Sequence, residues 1–298
     1  MKIVQPSANL LVNNSDDALA FIEEIARTCY KSKSKGNPAE FVKQLVKSQH
    51  YAMLEHQVFV FEVSPLIYQT VRNQVGSSNP FIHLTYNHDE KRHLISGNTR
   101  ALNDFEVHSL LYTIKQLYPE LVYAIDPIPS DYKCKLVDLD NVPNLSDKEK
   151  DNHLYSTFHF ICDRGVSHEL VRHRLCSFAQ ESTRYCNYSL GKFGNELTFV
   201  EPSNFKEWNS FNRGLFYSAC DSAEDYYLSM IEQGCTPEQA RSVLPNSIKT
   251  EIIVTASHKE WTHIFNLRYF GTTGNPHPDM KYLMTGAYKI YTEYVSNL

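Results

Sequence analysis

The sequence predicts an α+β fold in which helices dominate. Apolar residues recur every three or four positions over several segments, as they do on the buried face of a helix. Two shorter runs, 57–63 and 250–255, are rich in β-branched and aromatic residues, as strands are. The chain contains neither G-x-G-x-x-G nor G-x-x-x-x-G-K. We therefore expect any nucleotide to bind without a Rossmann unit or a phosphate-binding glycine loop.

The N-terminal elements are predicted as two helices and a strand. The first helix covers about 15–29 and is capped by Ser15, whose hydroxyl can accept a hydrogen bond from an unpaired backbone N–H group. Asn37 precedes a proline that favours the start of the second helix. The strand at 57–63 follows and ends before Pro65.

The middle of the chain carries weaker patterns. Helices are predicted at about 66–74 and 104–118, between turn-rich pieces. Residues 144–152 are polar and show no core pattern. We interpret the chain as one domain, 1–298, with an insertion or peripheral subdomain at about 66–152.

Helical patterns dominate the C-terminal half, apart from the run at 250–255. A helix is predicted from 154 to 164 and another from Ser167 to Arg172. Capping residues and prolines mark the starts of the later helices. These are predicted over about 204–233, from Thr236, from Ser257 to about 269, and from Asp279.

Composition narrows the class of protein. The chain has 298 residues, 42% of them hydrophobic, and 29 basic against 34 acidic side chains. A net charge of −5 argues against a nonspecific nucleic-acid binder, which needs many cationic phosphate contacts. No apolar run is long enough to cross a membrane. Seven widely spaced cysteines without C-x-x-C indicate reduced thiols rather than disulfides or a zinc site, so we expect a cytoplasmic protein.

Basic side chains are concentrated in the segment 168–185, although the chain as a whole is acidic. The segment contains three arginines and two histidines. Guanidinium groups bind phosphate or carboxylate in a bidentate manner and keep their charge when buried, so the pattern indicates an anion site such as one for a nucleotide. The alternative is a solvated basic helix end, or ion pairs to Glu169 and Glu181.

Two other chemistries are poorly supported in this segment. Ser182 lacks the G-x-S-x-G context of a hydrolase nucleophile. His168 and His173 lie five residues apart, off a single helical face, and no third ligand is evident. No metal is expected.

Arg172-His173-Arg174, followed after seven residues by Ser182, resembles the R-H-R-x7-S signature of the flavin-dependent thymidylate synthases. Further blocks resemble segments of that family in the same order. They lie at 50–56, 96–101, 237–245 and 266–268, with His277 beyond. The resemblance covers about 1–63 and 154–298.

The resemblance implies both a fold and a reaction. The fold would be helices packed around a small, mostly antiparallel sheet. The activity would be that of a methyltransferase that converts dUMP to dTMP, with methylenetetrahydrofolate as carbon donor and NADPH as reductant through bound FAD. The family also implies a homotetramer with shared active sites.

The resemblance assigns roles residue by residue. FAD would be contacted by His50, Glu55, Arg172, His173, Arg174 and His263. dUMP would be contacted by Gln180, Glu181, Ser182, Arg184, Arg241 and Arg268. Arg241 would reach the phosphate from a neighbouring subunit and Arg268 would lie at the uracil. Arg268 and Ser182 are the catalytic candidates, Ser182 as a hydrogen-bonding group rather than a nucleophile.

Some positions depart from the family pattern. Ala52 stands where a Ser or Thr is usual, and Ala179 and Gln180 replace an Asn-Glu pair found in some members. Two other functions stay open: a flavin- or nucleotide-binding homologue without catalysis, and a nucleic-acid-binding module. The intact signature with Arg268 argues against the first, and the acidic charge argues against the second.

Overall fold

A computed structural model describes residues 1–11, 17–128, 134–137, 139–191 and 194–298. The α-helices of these residues are α1 (Ala18–Tyr30), α2 (Pro38–Lys47), α3 (Pro65–Val75), α4 (Thr99–Asp104), α5 (His108–Leu117), α6 (Asp147–His153), α7 (Arg164–Leu170), α8 (Ser210–Glu232), α9 (Pro237–Ala240), α10 (His258–Phe265) and α11 (Pro278–Val295). The strands are β1 (Lys2–Val4), β2 (Ser7–Leu11), β3 (Val58–Val63), β4 (Ile82–Asn87), β5 (Arg92–Asn98), β6 (Cys134–Leu136), β7 (Tyr155–Asp163), β8 (Ser177–Gln180), β9 (Thr198–Val200) and β10 (Lys249–Ser257).

The strands form two antiparallel sheets and a short parallel pair. One four-stranded sheet has the order β2-β7-β10-β8, the other the order β4-β5-β3-β6, and β1 pairs with β9. An α+β fold with mostly antiparallel pairing is confirmed. The expectation of a single small sheet is wrong, because β4, β5 and β6 build a second sheet around β3.

The central strand β7 lies where we predicted a helix over 154–164, so that prediction is wrong. Phe158, Phe160 and Cys162 alternate along the strand and are buried against the face that α10 and α11 cover. An alternation of period two is the signature of a strand. The pattern was obscured because the residues between these positions, His159 and Ile161, are themselves half-buried on the other face of the sheet.

The strand β10 confirms the run predicted at 250–255 and extends it at both ends. It lies between β7 and β8, and its side chains are buried on both faces of the sheet. Ser257 ends the strand, and its side chain accepts a hydrogen bond from the backbone N–H of Glu260, which caps α10. The chain beyond Phe265 continues as a π-helical turn over Asn266–Phe270.

The prediction that 144–152 lacks a core pattern is wrong. Ser146 and Glu149 form a capping box that opens α6. Glu149 is buried and pairs with Arg92 of β5, with Nη2 and Oε2 2.8 Å apart. Burial alone would raise the pKa of Glu149, but the hydrogen bonds from Arg92 and Ser146 outweigh it and lower the pKa to about 2. The S-x-x-E spacing was the signal we missed.

Several helix boundaries differ from the predictions. The predicted cap Ser15 lies outside the described residues, and the side chain of Asp17 caps α1 instead. The helix predicted at 104–118 is interrupted at Phe105–Val107, where Glu106 has a φ of 49°. A residue in the left-handed region ends a helix.

Other boundaries are shifted by a few residues. The helix predicted over 204–233 begins only at Ser210, capped by Asn209. The one predicted from Ser167 begins at Arg164, with Asp163 as its cap. The capping box at Thr236 and the last helix are confirmed.

The buried core is divided between the two sheets. Side chains of α10 and α11 pack on the sheet of β7 and β10, and those of α1, α2, α4 and α5 pack around β3 and β5. No helix in the described part of the chain is long and apolar enough to cross a membrane. Placing β4 to β6 in an insertion at 66–152 stays a prediction.

Candidate active site

The chain that leaves strand β8 forms one wall of a pocket of about 580 Å³. Strand β8 is an edge strand paired with β10, so the residues after it emerge at the rim of the sheet. The pocket brings together six residues singled out from the sequence, which are His50, Gln180, Glu181, Ser182, Arg184 and Arg241.

The pocket is rich in arginine although the protein is acidic. Arg100 and Arg164 line it together with Arg184 and Arg241. None of Arg164, Arg184 and Arg241 has a carboxylate partner among the described residues. Arg100 donates to Glu55, with Nη1 and Oε1 2.7 Å apart. Four guanidinium groups around one cavity favour an anionic ligand.

Sequence reasoning missed two of these arginines as site residues. Arg100 begins helix α4 inside the block 96–101 that resembles the family, and this was the available signal. Arg164 follows strand β7, and its backbone N–H donates to Asn246 at 2.9 Å. Because we predicted a helix over 154–164, we did not place Arg164 at the end of a strand, at the edge of the sheet.

The pocket also offers aromatic surfaces. Tyr30, Tyr51 and Tyr185 line it, and the rings of Tyr30 and Tyr185 lie 5.3 Å apart between centroids. Tyr185 is 58% exposed, which is high for so large a side chain. A planar base can stack on such rings.

Ser182 is held as a hydrogen-bonding group. Its backbone N–H donates to the carbonyl oxygen of Cys29 at 3.0 Å, and its Oγ accepts from the backbone N–H of Arg184 at 3.3 Å. No histidine or carboxylate hydrogen-bonds to this Oγ in the described part of the chain. A serine nucleophile needs such a base.

Gln180 and Glu181 line the pocket, but their side chains are engaged behind it. The amide of Gln180 donates to Ser167 and Thr250, at 2.9 and 3.1 Å. Glu181 is buried, with 2% of the residue exposed. Its carboxylate accepts hydrogen bonds from Lys249 at 2.8 Å and from the hydroxyl of Tyr188 at 2.9 Å. These contacts orient the loop from inside the protein.

A second cluster of predicted residues lies before strand β8. Arg268 donates from Nη1 to Glu169 at 2.8 Å and from Nε to Nε2 of His173 at 3.2 Å. His263 contacts His173 edge to face, with ring centroids 6.2 Å apart. Burial, together with Arg268 and His263, lowers the pKa of His173 to about 4. The ring is therefore neutral near pH 7 and can accept the hydrogen bond from Arg268.

The same cluster contains closely spaced metal-ligand types. Single atoms of His173, Glu260 and His263 lie within 4.8 Å of one another. The guanidinium of Arg268 on the same histidine ring disfavours a cation there.

Arg172 and Arg174 flank His173 and are exposed. Beside them, Val171 and Leu175 are apolar and 37% and 52% exposed. This turn therefore presents two cations and two apolar side chains to its surroundings.

Strand β8 separates the two clusters. Arg172 to Arg174 precede it and Ser182 and Arg184 follow it, so the two halves of the signature lie at opposite ends of a strand that spans about 13 Å. Among the predicted flavin residues, His50 and Glu55 lie with the pocket, whereas the others lie with Arg268. His277 is in neither group and lines another pocket with Asp163 and Asp279.

The sequence profile of the family described as "Thymidylate synthase complementing protein" matches residues 10–122 and 150–294. The chain belongs to this family. The resemblance stated from the sequence is thereby confirmed, and the match includes most of the region 66–152 as well.

Curated relatives of this chain carry the name flavin-dependent thymidylate synthase, and two of them illustrate the similarity. The protein of Geobacter sulfurreducens is 35% identical over 131 residues, which are 44% of this chain and 54% of that protein. The protein of Pyrococcus furiosus is 37% identical over 120 residues, 38% of this chain and 47% of that protein. The chain thus spans about half the length of the curated relatives it matches.

A solved structure of a UMP/dUMP methylase, PolB from Streptomyces cacaoi bound with 5-Br dUMP, aligns over 98% of this chain and 93% of its own. The TM-score is 0.43 and the sequence identity is 12%.

Proposed function

We propose that this protein is a flavin-dependent thymidylate synthase, which methylates dUMP reductively to dTMP. Methylenetetrahydrofolate would supply the carbon and NADPH the reducing equivalents, through FAD. The observation that carries the proposal is the pocket after strand β8, which gathers Ser182, Arg184 and Arg241 beside further arginines. Membership of the family and the names of its curated relatives support the same reaction.

The pocket residues fit a nucleoside monophosphate. The phosphate carries the most concentrated charge on dUMP, and Arg184 and Arg241 offer guanidinium groups that no carboxylate of the described chain neutralises. The tyrosine rings beside them offer a surface for the base. Ser182 contributes a neutral hydrogen bond to the nucleotide.

The residues assigned to FAD fit an anionic cofactor with a polar ring edge. Arg172 and Arg174 are exposed cations, and His50 lies at the exposed start of the turn Tyr51–His56. Cations suit both the pyrophosphate and the electron-rich edge of a flavin. When bound, FAD supplies the redox chemistry that amino-acid side chains lack.

We propose a homotetramer in which two subunits share each site. Arg268 is assigned to the uracil, yet within one chain it lies with His173 and does not line the pocket of Ser182. Completing the site from a neighbouring copy resolves this separation. The exposed Val171 and Leu175 beside the signature provide apolar surface for that contact. The cytoplasm is the proposed location.

The direct test is to purify the protein, record its visible spectrum and assay dTMP formation. We expect a flavin spectrum, and dTMP only when dUMP, methylenetetrahydrofolate and a reduced nicotinamide cofactor are all present. Colourless protein that cannot be reconstituted with FAD would contradict the proposal. Protein that binds FAD and dUMP but forms no dTMP would be the homologue without catalysis.

A further inference from the structure

A network of buried charges lies directly behind the proposed nucleotide pocket. Lys249 donates to Glu181 at 2.8 Å and to Glu251 at 2.7 Å. Glu251 also contacts Lys31 and accepts a hydrogen bond from Nε2 of His159 at 2.9 Å. The side chains of Lys249 and Glu251 are only 14% and 13% exposed, and that of Glu181 is 1% exposed.

The network connects two walls of the pocket. Glu181 immediately precedes Ser182, and its backbone N–H donates to the carbonyl oxygen of Glu251 at 2.8 Å. Lys31 follows helix α1 in the left-handed conformation, just after Cys29 and Tyr30 of the pocket wall. Both walls are therefore anchored to Glu251 of strand β10, and the wall of Glu181 is anchored to Lys249 as well.

Electrostatics keep Lys249 and Glu251 ionised. Burial alone would lower the pKa of Lys249, but Glu181 and Glu251 outweigh it and raise the pKa. Burial would raise the pKa of Glu251, but His159 and Lys249 hold it far below its usual range. Two lysines and two glutamates balance, so the network adds no net charge that would repel a phosphate. Removing one member leaves a buried charge without its partner, which is costly.

From these contacts we infer that Lys249 is a positioning residue for nucleotide binding, acting through Glu181 on the loop that carries Ser182 and Arg184. This inference rests on the proposed function. Lys249 does not line the pocket, so its effect on the nucleotide is indirect. No sequence motif indicated this role for Lys249. One of its partners, Glu181, is 68 residues away, and the other, Glu251, is two residues away on the same strand.

The test compares four variants by calorimetric titration with dUMP and by dTMP assay, each checked for flavin content and thermal unfolding. For Lys249→Met we expect dUMP affinity to fall about tenfold, with a higher KM and a nearly unchanged kcat. Lys249→Arg should recover most of the affinity, because a guanidinium can bridge both carboxylates. Lys281→Met is the control, since Lys281 is exposed on helix α11 and has no carboxylate partner in the described part of the chain, and it should change affinity less than threefold.

The decisive variant removes both members of the pair. If Lys249 acts through Glu181, then Lys249→Met/Glu181→Gln should bind dUMP no worse than Lys249→Met alone, and it removes the unpaired carboxylate that threatens folding. A double variant that binds dUMP more weakly than Lys249→Met alone would overturn the inference, as would equal dUMP affinity in Lys249→Met and the wild type. If the wild type itself does not bind dUMP, the proposed function fails instead.

Discussion

The two ends of strand β8 carry arginines in opposite electrostatic states. After the strand, Arg184 and Arg241 line a pocket and lack carboxylate partners in the described chain. Before it, Arg268 is already paired with Glu169 and hydrogen-bonded to a neutral histidine. Unpaired cations have capacity for a ligand anion, whereas a paired one is held in a fixed orientation. We infer that Arg184 and Arg241 bind the charge of a ligand, whereas Arg268 is held in place by its partners.

The largest expected effect is at the paired end. Arg268→Ala removes the guanidinium proposed to face the uracil and leaves Glu169 without its partner. We expect dTMP formation at saturating dUMP to fall by about 100-fold or more, since a preorganised charge at a reacting group is worth that much. Single-turnover assays check this. Activity within tenfold of the wild type would place Arg268 outside the site.

The next effect tests the unpaired end. Arg241→Ala should weaken dUMP binding by about 10- to 100-fold, because a charge-assisted contact is lost. FAD binding should change little. Calorimetric titrations with both ligands measure the difference, and Arg72→Ala, an exposed arginine of helix α3, serves as control. Equal losses for dUMP and FAD would remove the distinction between the two ends.

The exposed cations before the strand should act on the cofactor. For Arg174→Ala we expect FAD affinity to fall about tenfold, since Arg174 is solvated and the loss lies at the low end for a charged contact. Flavin content after dialysis against graded FAD concentrations measures it. Unchanged content would assign Arg174 to the subunit contact instead.

Protonation of His173, which accepts a hydrogen bond from Arg268, should lower the stability of the folded protein at acidic pH. Its pKa is about 4 when folded, below the 6.5 of a free histidine, so the unfolded chain binds the proton first as pH falls. The stability that neutral His173 contributes to the folded state is complete above pH 6.5 and is lost as the pH falls from there toward 4. Between pH 7 and pH 5 we expect a loss of about 1–2 kcal/mol that His173→Asn lacks. Urea unfolding measures it, with the exposed His168→Asn as control.

The residue types of this site could be predicted from the sequence better than their positions in space. The C-terminal end of the signature and the blocks at 50–56 and 237–245 identified residues that do meet in one pocket, because local motifs preserve residue types. The separation of Arg268 from Ser182 was not visible, since it depends on which strand lies at the sheet edge. The central strand β7 was missed because its residues are buried or half-buried on both faces of the sheet, which weakens the alternation.

The smallest effect is expected at Ser182, although it is the last position of the signature. In the structure its Oγ accepts from the backbone N–H of Arg184, and in the described chain no base is positioned to take its proton. Ser182→Ala should therefore lose one neutral hydrogen bond, about 0.5–1.5 kcal/mol, and at most about tenfold in dUMP affinity.

Measurable dTMP synthesis should remain in that variant, because a reductant that acts directly on the uracil ring needs no covalent enzyme adduct. The decisive assay is dTMP formation at saturating dUMP, with Ser182→Thr as a control that keeps the hydroxyl. A Ser182→Ala protein that binds dUMP and FAD normally but is completely inactive would restore the nucleophile. Residual activity would instead show that Ser182 contributes to binding and orientation of the nucleotide rather than to covalent catalysis.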